Sequence, residues 1–165
     1  MTMQITFAIR GMDGAALDEA QARAALDAGT LPTNEPYLFG WLRFLHPEQR
    51  NLDLNDDLNL LFPDCLGAVS ALRTRGRAEL SLASHYCHFT LIAEGDIVHV
   101  FKEDSDVHGA EVARYPKEEL IEALTACCRR FAAYAQALAA LDPRWTALRD
   151  MMAESSDEAL SVEQQ

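Results

Sequence analysis

Residues 85–100 read HYCHFTLIAEGDIVHV, two runs rich in β-branched and aromatic residues on either side of Glu94 and Gly95. Two strand-forming runs separated by a two-residue turn signal are typical of a β-hairpin. We therefore expect an antiparallel sheet at the centre of the fold. The pattern predicts that three pairs of residues face each other across the hairpin: Ala93 and Asp96, Leu91 and Val98, and Phe89 and Val100.

Alternation along the predicted hairpin separates its side chains onto two faces. The first face is apolar and is expected to lie on the core; it collects Cys87, Phe89, Leu91, Val98 and Val100. The outer face is either covered by another element of the fold or is a contact surface for a partner. It is predicted to hold His88 and His99 as diagonal neighbours, together with Tyr86, Thr90, Ile92, Ile97 and Phe101.

The histidines and the cysteine of this stretch raise the question of a metal or catalytic site. His85 and Cys87 alternate onto the core face, so they do not converge with His88 and His99 on one metal ion. A cysteine on a core face is hidden, whereas a nucleophilic cysteine needs an exposed electropositive setting. No metal, cofactor or catalytic residue is predicted, and the chain is not expected to be an enzyme.

The rest of the chain predicts an α+β fold. Apolar residues alternate with polar or small ones over residues 3–9, which is typical of a half-buried strand, and residues 37–44 predict a second strand. Apolar residues at three- and four-residue spacing predict a long helix over 116–141. We expect a single domain over residues 1–152, an antiparallel β-sheet packed by this long C-terminal helix and by shorter helices. Residues 153–165 are expected to form a disordered acidic tail.

Charge and composition limit the classes of partner. The 165 residues include 26 Asp and Glu against 14 Lys and Arg, for a formal net charge of -12. Such a charge repels the phosphate backbone, so no nucleic acid is expected as a partner. No apolar run approaches the roughly 18 residues of a membrane span, and the N-terminus lacks the cationic start of a secretory signal. A cytoplasmic protein with no membrane contact is therefore predicted.

Two segments concentrate the negative charge. Residues 48–64 carry five acids and one arginine, and residues 94–111 carry six acids and one lysine. Both segments are predicted to be exposed loops, and loops of one sign attract a partner of the opposite sign. The predicted contacts to a basic protein are Asp53, Asp56, Asp57, Glu103, Asp104 and Asp106, with Tyr86, His88, His99 and Phe101 on the outer face of the hairpin.

Four segments in order, EPYLFGWLRF, FPDCLGAVSALRTRG, HFTLIAEGDIVHVF and PKEELIEALTACCRRFAAYAQAL, resemble the small cytosolic immunity proteins of bacterial polymorphic toxin and contact-dependent growth inhibition systems. The resemblance is one of architecture and spans roughly residues 3–141. It implies a non-enzymatic protein, a monomer or weak homodimer, that binds and neutralises a cognate toxin domain. A basic toxin that acts on nucleic acid would suit the acidic segments.

Two other classes remain open. Type III secretion chaperones are similar in size and acidity, and they bind an unfolded effector segment through apolar grooves. A small enzyme using the hairpin from His85 to His99 is the third possibility, because that stretch carries most of the chemically capable side chains.

Overall fold

The computed structural model describes residues 2–104 and 107–153, and these contain eight strands and four helices. The strands are β1 (Gln4–Arg10), β2 (Ala16–Asp18), β3 (Phe39–Leu45), β4 (Leu52–Asp57), β5 (Arg77–Leu82), β6 (Cys87–Glu94), β7 (Ile97–Asp104) and β8 (Val107–Pro116). The helices are α1 (Glu19–Asp27), α2 (Leu58–Thr74), α3 (Lys117–Leu141) and α4 (146–153). Apart from residue 153, the predicted disordered tail lies outside the described residues.

The strands form two antiparallel sheets of four strands each. The first sheet has the order β2-β1-β3-β4, and the second has the order β5-β6-β7-β8. The α+β class and the long C-terminal helix are confirmed, but the structure has two sheets where the sequence predicted one. α2 lies between β4 and β5 in the chain, so each sheet is built from four strands that are consecutive in sequence.

An aromatic cluster joins the two longest helices to the first sheet. Phe62 on α2 stacks on Phe131 of α3 with 3.8 Å between ring centroids, and Phe7 of β1 meets both rings edge-on at 5.7 and 5.4 Å. The second sheet joins the same core, since Tyr115 of β8 stacks on Phe44 of β3 at 6.1 Å. Both sheets therefore share one buried core.

The hairpin at residues 85–100 forms, but its turn is displaced by one residue. The turn residues are Gly95 and Asp96, and Leu91 faces Val100 where Val98 was predicted. Gly95 has φ +59°, a left-handed conformation that glycine adopts without steric cost, which places it at the first turn position. The facing pairs therefore shift by two residues.

A shift of two residues leaves the strand side chains on their predicted faces. Tyr86 is the exception, because it was predicted on the outer face and lies before β6, at the end of the 3-10 turn. The five side chains of the predicted core face are all buried: Cys87, Phe89, Leu91, Val98 and Val100. The outer face stays partly open to solvent in the described part of the chain, with Ile97 exposed and Phe101 half-buried. Thr90, which belongs to the same face, is buried, so the outer face is neither fully covered nor fully exposed.

The acidic loop predicted near residues 51–57 is instead the edge strand β4. Leu54 is buried and pairs with Leu42 of β3, so the strand is anchored in the core. α2 begins directly after it at Leu58 and includes Pro63 in its second turn. The correction matters for function because Asp56 and Asp57, expected on an exposed loop, end a buried strand.

Candidate functional site

The outer face of the second sheet carries histidine–carboxylate pairs. His88 faces and contacts Glu103, whereas His99 faces Ile92, so the predicted His88–His99 neighbourhood is wrong. The ring nitrogens of His99 lie 3.2 Å from Glu94 and 2.9 Å from Glu111. The displaced turn explains the error, because it moves each histidine two residues along its partner strand.

These contacts join carboxylates of this face to histidine and arginine side chains, whereas the buried Thr90 hydroxyl has no hydrogen-bond partner. Hydrogen bonds from Arg114 and from His99 lower the pKa of Glu111, which keeps that carboxylate ionised. Phe101 stacks beside His99 with 6.4 Å between ring centroids. Within residues 2–104 and 107–153, no group of three or more His, Cys, Asp or Glu side chains is arranged to hold a metal ion. The face carries a network of histidine–carboxylate and arginine–carboxylate contacts around a small apolar patch.

The predicted acidic contacts divide into inward and outward groups. Asp53 is exposed and lies 3.6 Å from Arg43, and Asp104 is exposed at the end of β7. Glu103 is half-exposed beside His88. Asp106 lies outside the described residues. Asp56 and Asp57 are 2% and 7% exposed, so neither offers the free surface charge that the sequence suggested.

Asp56 connects the two sheets. Its Oδ1 accepts hydrogen bonds from the Asp57 backbone N–H at 2.6 Å and from the Ser84 hydroxyl at 2.7 Å, and its Oδ2 accepts from the Ser84 backbone N–H at 3.3 Å. Ser84 lies in the 3-10 turn Ala83–His85, which connects β5 to β6. Asp56 therefore fixes this turn against the edge of the first sheet.

Asp57 lies at the start of α2 and lines a cavity. Its Oδ1 accepts a hydrogen bond from the Leu38 backbone N–H at 2.9 Å. Burial raises the pKa of the Asp57 carboxyl, because the ionised form loses solvation, and the Leu38 hydrogen bond only partly opposes this.

The cavity has a volume of about 640 Å³, and the sequence did not predict it. Its walls come from the 10–14 turn, the 32–39 connection, the start of α2 and the turn at Ala83 and Ser84. Three of its lining side chains are large, apolar and more than half exposed, Met12 at 57%, Tyr37 at 59% and Leu60 at 54%. Exposed apolar side chains around one concavity mark a binding site on a protein surface.

Tyr86 closes the turn whose first two residues line the cavity. Its backbone is left-handed, at φ 50° and ψ 35°, and within the described residues it has the one positive φ outside glycine. This conformation is uncommon for a bulky residue because its Cβ crowds the following carbonyl oxygen. Its side chain is also 88% exposed, so the fold presents an aromatic ring to solvent at a conformational cost.

The four cysteines Cys65, Cys87, Cys127 and Cys128 are buried, and for Cys87 this confirms the predicted core face. Burial raises the pKa of Cys87 and raises that of Cys128 to about 12, so both thiols stay protonated at neutral pH. A nucleophilic role for Cys87 is therefore disfavoured on the same grounds as before.

Exposure and backbone geometry thus point to the cavity and Tyr86 more than to the outer face of the hairpin. One sequence signal was available in LPTNEPY at residues 31–37, where a tyrosine follows a proline in a connection. No helix in residues 2–104 and 107–153 is long and apolar enough to cross a membrane. The chain matches no protein-family model, and neither a curated protein nor a solved structure is significantly similar to it.

Proposed function

We propose that this chain is a cytosolic binding protein of the immunity class, which captures a basic toxin domain and blocks it without catalysis. The observation that carries the proposal is Tyr86, a strained and 88% exposed aromatic side chain two residues after Ser84, which lines the cavity. Strain of this kind persists where function requires it, and tyrosine is enriched among the residues that dominate binding energy at interfaces.

The exposed apolar side chains and the negative charge contribute to binding in different ways. Tyr86 and the apolar side chains Met12, Tyr37 and Leu60 supply area that a partner can desolvate. The net charge of -12 supplies long-range attraction for a basic partner, which speeds the encounter and is screened by salt. A toxin that binds nucleic acid has the required positive surface.

The test is a binding titration with a toxin domain encoded beside this gene, prepared in an inactive form. Tyr86→Ala and Tyr37→Ala are expected to accelerate dissociation, each at a cost of about 2 kcal/mol. Leu45→Ala is the matched control, because Leu45 is also exposed and apolar but lies outside the cavity lining. Co-expression of the wild-type chain should also restore growth of cells that carry the active toxin.

Three results would contradict the proposal. A complex that forms with unchanged dissociation rates in both tyrosine variants would show that the interface lies elsewhere. Binding restricted to an unfolded effector segment, with dimerisation of this chain, would favour the secretion-chaperone alternative. Hydrolysis or transfer activity that depends on His88 or His99 would favour the enzyme alternative.

A further inference from the structure

We propose that the cavity receives an arginine side chain of the partner protein, with the Asp57 carboxylate as its counter-charge. The inference rests on the proposed function and names the chemistry of its contact. It is carried by two features of the cavity wall, an aromatic pair and a buried carboxylate.

The aromatic pair consists of Tyr37 and Phe39, which both line the cavity. Phe39 is held in place because it packs edge-on against Trp41 at 6.3 Å between ring centroids. An arginine side chain suits such walls, since its guanidinium is planar, weakly hydrated and stacks on aromatic faces. Its three-carbon stem can lie against apolar side chains such as Leu60.

The carboxylate is Asp57, which is 7% exposed and lines the same cavity. It accepts hydrogen bonds from the backbone N–H groups of Leu38, at 2.9 Å, and of Asn59. Within residues 2–104 and 107–153, no cationic side chain forms an ion pair with it. A buried carboxylate without a counter-charge gains stability when a guanidinium forms charge-assisted hydrogen bonds to it.

A second carboxylate reinforces the negative character of the opening. Glu35 is exposed and lines this cavity and also a neighbouring cavity of about 200 Å³ beside Trp145. An incoming chain can therefore place one cation at Asp57 while its neighbouring residues remain close to Glu35.

Arg10 also lines the cavity, and its positive charge makes an acidic side chain the alternative ligand for this cavity. Its guanidinium lies beside the 11–14 turn, where a Cβ on Gly14 would be 3.9 Å from Nη2. A carboxylate side chain of the partner would pair with Arg10 and would avoid Asp57. The two occupants have opposite charge, so one experiment separates them.

The experiment uses three acetylated and amidated tripeptides with arginine, norleucine or glutamate between two glycines. Each is titrated into the isotopically labelled chain while backbone amide shifts are followed by NMR. We expect the arginine peptide to bind about tenfold more tightly than the norleucine peptide, with shifts at Tyr37 and Leu60. Asp57→Asn, which keeps an oxygen to accept the Leu38 N–H, should remove this preference. Glu79→Gln is the matched control, since Glu79 is exposed on β5 and lies outside the lining.

Equal binding of the arginine and norleucine peptides would overturn the inference. So would tighter binding of the glutamate peptide that is lost in Arg10→Ala. These results leave the proposed function standing if the toxin domain is still captured through Tyr86. Conversely, an Asp57-dependent arginine preference without capture of any toxin domain would support the cavity chemistry and count against the immunity function.

Discussion

Replacing Tyr86 by glycine should stabilise the fold while it weakens partner binding. The left-handed backbone of Tyr86 costs an L-residue about 1–2 kcal/mol, and glycine avoids this cost. Glycine gives back about 0.5–1 kcal/mol because its unfolded chain has more conformational freedom. Little burial is lost, because the tyrosine side chain is 88% exposed. The expected net gain in the free energy of unfolding is about 0.5–1 kcal/mol.

Urea unfolding of three proteins, the wild type, Tyr86→Gly and Tyr86→Ala, measures this gain. Alanine removes the ring but keeps the Cβ and therefore the strain, so the glycine variant should exceed the alanine variant by about 1 kcal/mol. The midpoint of thermal unfolding should rise by roughly 2–4 °C for each kcal/mol in a chain of this size. Both variants should bind the toxin domain more weakly.

Two distinguishable outcomes would contradict the strain at Tyr86 or its role in binding. A glycine variant no more stable than the alanine variant would mean that the backbone at Tyr86 is not strained. A glycine variant that is stabilised yet binds the partner normally would mean that the strain serves something other than the partner contact.

Three further predictions concern residues that hold the site in place. Asp56→Ala removes the acceptor of three hydrogen bonds and should lower the free energy of unfolding by about 3 kcal/mol. The control Asp53→Ala, on the same strand, should lower it by less than about 0.5 kcal/mol. Equal losses for the two variants in urea unfolding would contradict this prediction. Gly40→Ala should lower the free energy of unfolding by at least about 2 kcal/mol, because the new Cβ would overlap the Ala8 carbonyl oxygen and lie 2.7 Å from Leu58 Cδ1. Gly67→Ala, at an open position in the middle of α2, should instead raise the free energy of unfolding by about 0.5–1 kcal/mol. Burial raises the pKa of Asp57 above its ordinary value of 3.8, so the folded state binds the proton more tightly than the unfolded state, and the stability of the wild type relative to Asp57→Asn should rise as the pH falls from about 7 towards 4. A pH-independent difference between those two proteins would show that Asp57 is not desolvated.

The buried face of the hairpin could be predicted from sequence, because the face that a strand side chain occupies depends only on whether its position in the strand is odd or even. Moving the turn from Glu94 and Gly95 to Gly95 and Asp96 changes the facing pairs by two residues, and two is the period of a strand. The predicted burial of Cys87 is therefore correct although the predicted register is wrong. The predicted contacts of His88 and His99 are wrong, because a contact depends on the facing residue itself and not only on the face.

The buried acids could not be predicted, because their partners are distant in the chain. Asp57 accepts from Leu38, 19 residues away, and Asp56 accepts from Ser84, 28 residues away. Composition alone makes the segment an acidic loop, since three aspartates in five residues are costly to bury without donors. The donors that make burial possible appear only once the two sheets are assembled.

These partners also change what the acidic residues do. Asp56 holds the turn that ends at Tyr86, so it positions the proposed contact residue without touching the partner itself. The exposed acids, such as Asp53 and Asp104, then provide the long-range attraction for a basic partner. Salt at 0.1 M screens this attraction within about 10 Å. Under the proposed function, neutralising an exposed acid should therefore slow association, whereas disturbing Asp56 should accelerate dissociation by misplacing Tyr86. Asp53 and Asp56, three residues apart on β4, therefore control different rate constants of the same binding reaction.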